Sequence, residues 1–172
     1  MRRIILPLVL ALAFYSESLF AAFFPPEAFG AERLFIPHFV ASLLIFMGIY
    51  HFGHRALVYA AIFGLIYDVY YTGIIGVYLF MFPIAVYFAM KLMKVWHTNL
   101  LTSGLAAILS LALMESLVYG FQLLVMHVSV TPADFATDRL LPTLILNLAF
   151  IILVSFPFSR FLMRRKKEEA ES

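Results

Sequence analysis

Three carboxylates, Glu17, Asp68 and Glu115, and one amide, Asn147, are set in runs otherwise apolar enough to lie in lipid. An ionised carboxylate near the middle of a spanning helix costs about 2.5–3.5 kcal/mol on insertion scales, so each of these groups should face protein or trapped water. Each falls about three residues to the outer side of its own span's midpoint, roughly 4.5 Å at the helical rise. Four helices would thus offer a polar group to one layer. Converging there, the groups would offset one another's burial through hydrogen bonds, most easily with at least one carboxyl protonated. Three roles are open to such a layer. It is a polar knot that fixes the packing, a substrate or proton site, since membrane carboxylates mark ion paths, or a surface for a partner.

The stretch Gly64-Leu-Ile-Tyr-Asp68 combines the carboxylate with a glycine one helical turn earlier, which lets another backbone approach the same face. Gly73 and Gly76 follow as turn residues and should close this span into a tight hairpin with the next. Glu115, Tyr119 and Gln122, at spacings of four and three, share one helical stripe. His51 and His54 lie three apart beside Arg55, a spacing open to metal but far more often that of plain interfacial residues. The chain has no cysteine, phosphate-binding glycine loop, HExxH or Ser-His-Asp arrangement. No catalytic, cofactor or metal site is therefore assigned, and a net charge of +2 gives no reason to expect nucleic acid.

The elements that must position these groups follow from composition. With 64% hydrophobic and 13% charged residues among 172, the chain is far more apolar than a soluble domain, in which about a quarter of residues are charged. At roughly 20 residues per span, the length accommodates about six membrane helices in one domain, 1–172. The expected spans are 4–24, 34–50 (Pro37 tolerated in its first turn), 56–72, 77–92 (Pro83 inside), 100–125 and 140–161. The first is read as an anchor rather than a signal peptide, because the run reaches spanning length despite Ala11-Leu-Ala13. Residues 127–139 are expected as the longest loop, with Thr131-Pro-Ala-Asp134 as a turn. Asp138 would cap the last helix at the outer surface, and Arg139 would reach a phosphate or a partner's carboxylate.

Basic residues set the orientation. With the N-terminus inside, Arg2, Arg3, Arg55, Lys91, Lys94, Arg160, Arg164, Arg165, Lys166 and Lys167 are cytoplasmic, against only Arg33 and Arg139 outside. Both termini are therefore expected in the cytoplasm. Arg164 to Lys167 would touch anionic headgroups, making membrane lipids the first partner.

The chain as a whole resembles the MreD family, small membrane proteins of the bacterial rod-shape machinery. The likeness rests on Pro7 with Glu17-Ser18, Gly64-Leu-Ile-Tyr-Asp68, Gly76-Val-Tyr, Glu115, and Asp138-Arg139-Leu-Leu-Pro142-Thr with Asn147, in this order and over nearly the whole length. The resemblance implies a non-enzymatic role in the bacterial plasma membrane, with MreC, MreB filaments, RodA and a class B penicillin-binding protein as partners in sidewall peptidoglycan synthesis. It implies no cofactor. The family is also similar in fold to the substrate-binding subunits of energy-coupling-factor transporters, so the alternative is a small-solute binding subunit with a pocket opening outward.

Overall fold

The computed structural model describes residues 4–25 and 33–170, apart from the side chains of 51, 52, 169 and 170. Every regular element among them is helical: α1 (Ile5–Phe23), α2 (Phe39–Met47), α3 (Gly53–Tyr67), α4 (Val77–Val95), α5 (Leu100–Val125), the single turn α6 (Pro132–Asp134) and α7 (Leu141–Ala170). Wider π-helical turns extend α2 over Gly48–Phe52 and α3 over Asp68–Thr72, and join α6 to α7 over Phe135–Leu140. Four helices are long and apolar enough to cross a membrane: α1, α4, α5 and the continuous run Pro132–Glu168. The chain is a multi-pass membrane protein.

The shortest of the apolar helices is the hub. All residues of α2 from Val40 to Met47 are buried, as expected of a helix that is apolar all round. Val86 and Ala89 of α4, Ala106, Ala107 and Leu111 of α5, and Ile151 of α7 belong to the same core. The longer helices bury one stripe each and leave large apolar side chains, such as Leu12 and Tyr15 of α1 or Ile152 and Leu153 of α7, exposed on the outside where lipid is their natural solvent. On α1 the buried stripe is Leu10, Ala13 and Glu17. Phe14 places its ring edge-on to Tyr67, Tyr70 and Tyr71, each at 5.5 Å between centroids, and Ser18 shares a 2.7 Å hydrogen bond with the Tyr71 hydroxyl.

Local sequence accounts for several helix ends. Asn99 and Thr102 form a reciprocal capping box at the start of α5. Thr131 caps α6, whose first residue is Pro132. Gly73 (φ +67°) and Gly76 (φ +119°) make the turn between α3 and α4 with left-handed backbone that a side chain would strain.

Three expected boundaries are corrected. The second apolar run does not become helical until Phe39, since residues 33–38 are extended. Residues 132–139, expected within a loop, are helical, because Thr131 and Pro132 together supply an N-cap and a first-turn proline. The last helix runs past Phe161 to Ala170 with Pro157 inside it.

The α3–α4 contact is the tightest glycine site. A Cβ on Gly64 would lie 2.2 Å from the Tyr78 carbonyl oxygen and 2.9 Å from the Leu79 Cα. Both are backbone atoms, which cannot swing aside as a side-chain end would. Gly64→Ala should force the hairpin open at a cost of about 2 kcal/mol, seen as a fall in the thermal midpoint of the detergent-solubilised chain. An unchanged midpoint would show that the helices are not seated backbone to backbone.

Candidate functional site

The extended stretch 34–38 poses the structural problem that the buried polar residues solve. Non-helical backbone at membrane depth is tolerated only where protein satisfies its N–H and C=O groups. Here α7 and the turn before it do so, in the alternation of a strand edge. The Leu34 N–H donates to the Asp138 carbonyl at 2.7 Å. The Thr143 hydroxyl donates to the Leu34 carbonyl and accepts from the Ile36 N–H, both at 3.2 Å. One turn on, Asn147 accepts from the His38 N–H at 2.7 Å and donates to the Ile36 carbonyl at 2.9 Å. Two side chains at a spacing of four thus stand in for a neighbouring strand.

Glu17 serves the next residues along. One carboxylate oxygen accepts the Val40 N–H at 2.8 Å, in the first turn of α2, and the other accepts the Tyr67 hydroxyl. A carboxylate at a helix N-terminus also meets the favourable end of the helix dipole.

Glu115 closes the cluster from α5. Its Oε1 lies 2.5 Å from His38 Nε2 and its Oε2 accepts from Arg139 Nε at 2.9 Å; Arg139 Nη1 continues to Gln122 at 2.9 Å. Against the Glu115 carboxylate His38 Nε2 is the donor, while Nδ1 on the far side of the ring is buried with no hydrogen-bond partner. Nearby, Tyr119 donates to the Val130 carbonyl at 2.8 Å and its ring stacks on Phe135 at 4.1 Å.

Asp68 does a separate job. It accepts three backbone N–H groups at the start of α4, from Gly76 (2.7 Å) and Leu79 (3.0 Å) on Oδ2 and from Tyr78 (2.7 Å) on Oδ1. These are donors that a helix start leaves without intrahelical partners. Asp68 thereby caps α4 from the end of α3, across the glycine turn.

Glu17, Asp68, Glu115 and Asn147 are each at most 1% exposed, yet no hydrogen bond joins any two of them. Glu17, Glu115 and Asn147 converge on a third party, residues 36–40, while Asp68 holds a hairpin. The expected layer of mutually bonded groups is corrected accordingly: the donors are mostly main-chain N–H groups left open by an extended segment and two helix starts. The roles expected of Asp138 and Arg139 change as well. Asp138 lies inside the π-helical turn, its carbonyl on Leu34 and its carboxylate accepting from Thr137. Arg139 finds its carboxylate within the chain, on Glu115. His54 is exposed and the His51 side chain lies outside the described residues; among those described, no three His, Asp or Glu side chains group so as to hold a metal.

His38, Thr143 and Tyr67 carry much of this site without having been singled out from sequence. His38 is legible by the same rule that singled out Glu17, as a polar residue inside an apolar run. Thr143 is four before Asn147, but nothing local marks either as the partner of an extended stretch more than 100 residues earlier.

The geometry defines a polytopic helical membrane protein in which the buried polar groups described above bond mostly to its own backbone. The chain matches the family model of the rod shape-determining protein MreD over residues 1–165. It is 38% identical over 168 residues to the rod shape-determining protein MreD of Bacillus subtilis (strain 168), covering 98% of each chain. With the cell shape-determining protein MreD of Streptococcus pneumoniae (strain ATCC BAA-255 / R6) it shares 30% identity over 161 residues, 92% of this chain and 93% of that one. The chain belongs to the MreD family. No solved structure gives a significant match.

Proposed function

We propose that this chain is a non-enzymatic scaffold of the cell-elongation machinery that binds MreC and, through it or directly, helps to position sidewall peptidoglycan synthesis so that the cell stays a rod. Family membership along the whole chain is the observation that carries the reading. Two features support it. The buried carboxylates already have structural work, and almost all of the mass is membrane helix, so the chain can act on MreB filaments, RodA or a class B penicillin-binding protein chiefly by packing against membrane segments. In this reading the chain crosses the bilayer six times, the second and third crossings being α2 and α3 with their π-helical turns, and both termini are cytoplasmic, as ten basic residues against two favour.

Copurification from mild detergent tests the proposal. A tagged version of the full chain should retain an MreC homologue through size exclusion in stoichiometric amount. Recovery of no elongation protein, together with a tightly held small solute, would instead favour the second reading, a substrate-binding subunit similar to those of energy-coupling-factor transporters. That reading has one specific feature behind it, a cavity of about 310 Å³ beside Glu17.

A further inference from the structure

The cavity lies between α1, the extended stretch, and the adjoining ends of α3 and α4. Glu17, Ala21, Ile36, Tyr67, Tyr71 and Tyr78 are among its walls. Among the described lining residues there are one carboxylate, three tyrosines, two phenylalanines, one threonine and otherwise aliphatic side chains, with no lysine, arginine or histidine. Glu17 differs from the other buried carboxylates in the same respect. Glu115 has Arg139, and Asp68 has three main-chain donors. Glu17 has the main-chain N–H of Val40, that of Phe39 beside it, and one phenol, and among the described residues no cationic side chain lies within ion-pairing distance of it. An ionised carboxylate has about four lone-pair sites, so acceptor capacity is left over at the cavity wall. A carboxyl buried in this way ionises most readily when an opposite charge enters the same low-dielectric space, and tyrosine faces attract cations through their ring quadrupole.

We propose that this cavity binds an organic cation with N–H donors, an ammonium or guanidinium group on a short hydrocarbon stem, with the head between Glu17 and the tyrosines and the stem along Ala21 and Ile36. The volume, at the lower end of the range for small-molecule sites, admits a group of side-chain size. The same chemistry is carried by a free alkylamine and by the lysine or arginine side chain of a neighbouring protein. The inference stands apart from the scaffold reading, because a failure to recover elongation proteins leaves cation binding untouched.

The test is thermal unfolding of the detergent-solubilised full chain with n-hexylammonium, n-hexanol and n-hexanoate. Hexylammonium should raise the midpoint by about 4 °C or more at a hundredfold excess over its dissociation constant, and the alcohol and the carboxylate should not. Glu17→Gln should abolish the shift. Ala21→Trp, which fills the cavity and leaves Glu17 in place, should abolish it too, and guards against a failure of the first variant to fold. Equal shifts from all three probes, or a hexylammonium shift that survives in a folded variant of either kind, would overturn the proposal, as would no shift at all. Native mass spectrometry of the chain from its own membranes then separates the sources. A retained amine identifies a free ligand, whereas an empty chain that still responds to hexylammonium identifies a partner's side chain.

Discussion

Asp68→Ala should prevent the folded chain from accumulating. The carboxylate takes three main-chain N–H groups at the start of α4, in a place with no solvent exposure. Each buried donor left without an acceptor costs about 1–3 kcal/mol, and three together cost about 3–9, comparable to the roughly 5–15 kcal/mol that holds a typical domain together. Asp68→Asn should fall in between. Its one oxygen can replace Oδ2, which serves Gly76 and Leu79, but its amide then faces the Tyr78 N–H, donor against donor. Membrane-fraction yield and thermal midpoint should therefore rank native above Asn above Ala. If Asn and Ala behave alike, the carboxylate acts through its charge and not as a set of acceptors. If both accumulate normally while cells lose their shape, Asp68 works on something other than the α3–α4 hairpin.

Arg139→Ala should be the other severe change. It leaves the Glu115 carboxylate buried with His38 alone, and breaking a buried pair from one side costs about 3–5 kcal/mol. Arg139→Lys should rescue little. The guanidinium reaches Glu115 through Nε and Gln122 through Nη1, two donors at a fixed separation that a single ammonium does not reproduce. Removing both charges should hurt less than the single changes suggest, so Glu115→Gln with Arg139→Gln should be less destabilised than the sum by about 0.5–3 kcal/mol, the usual coupling for residues in contact. Denaturation midpoints of the four proteins check this. Strict additivity would place Arg139 away from Glu115 and return it to the surface role expected from its position at the head of the last helix.

Helical class and membrane character were legible from composition, and the α3–α4 hairpin was the most legible local feature. A carboxylate, a glycine one turn before it and two glycines just after it all act within a dozen residues, and all make contact in one small volume around Asp68 and Gly64. The extended stretch was not legible in the same way. Leu34, Phe35 and Ile36 are as apolar as any helix interior, and Pro37 is as acceptable in a first turn as in a strand, so hydropathy reads straight through them. The extended conformation depends on Thr143 and Asn147, 107 and 109 residues away from the backbone groups they receive. Arg139 was misplaced for a related reason. Helical structure begins at Pro132, earlier than hydropathy alone marks it, and this brings Arg139 level with Glu115 and Gln122 on the neighbouring helix.

The dependence of residues 34–38 on α7 also has a bearing on biosynthesis. When the ribosome has made α2, the side chains that will satisfy its lead-in are still about 100 residues from being translated, a delay of roughly 5–20 s at ordinary elongation rates. For that interval the open main-chain groups of the lead-in must be held by water, lipid headgroups or the insertion machinery. The first half of the protein reaches its final form only when the last helix arrives, so a chain stopped before α7 should be a substrate for quality control and not a smaller working version.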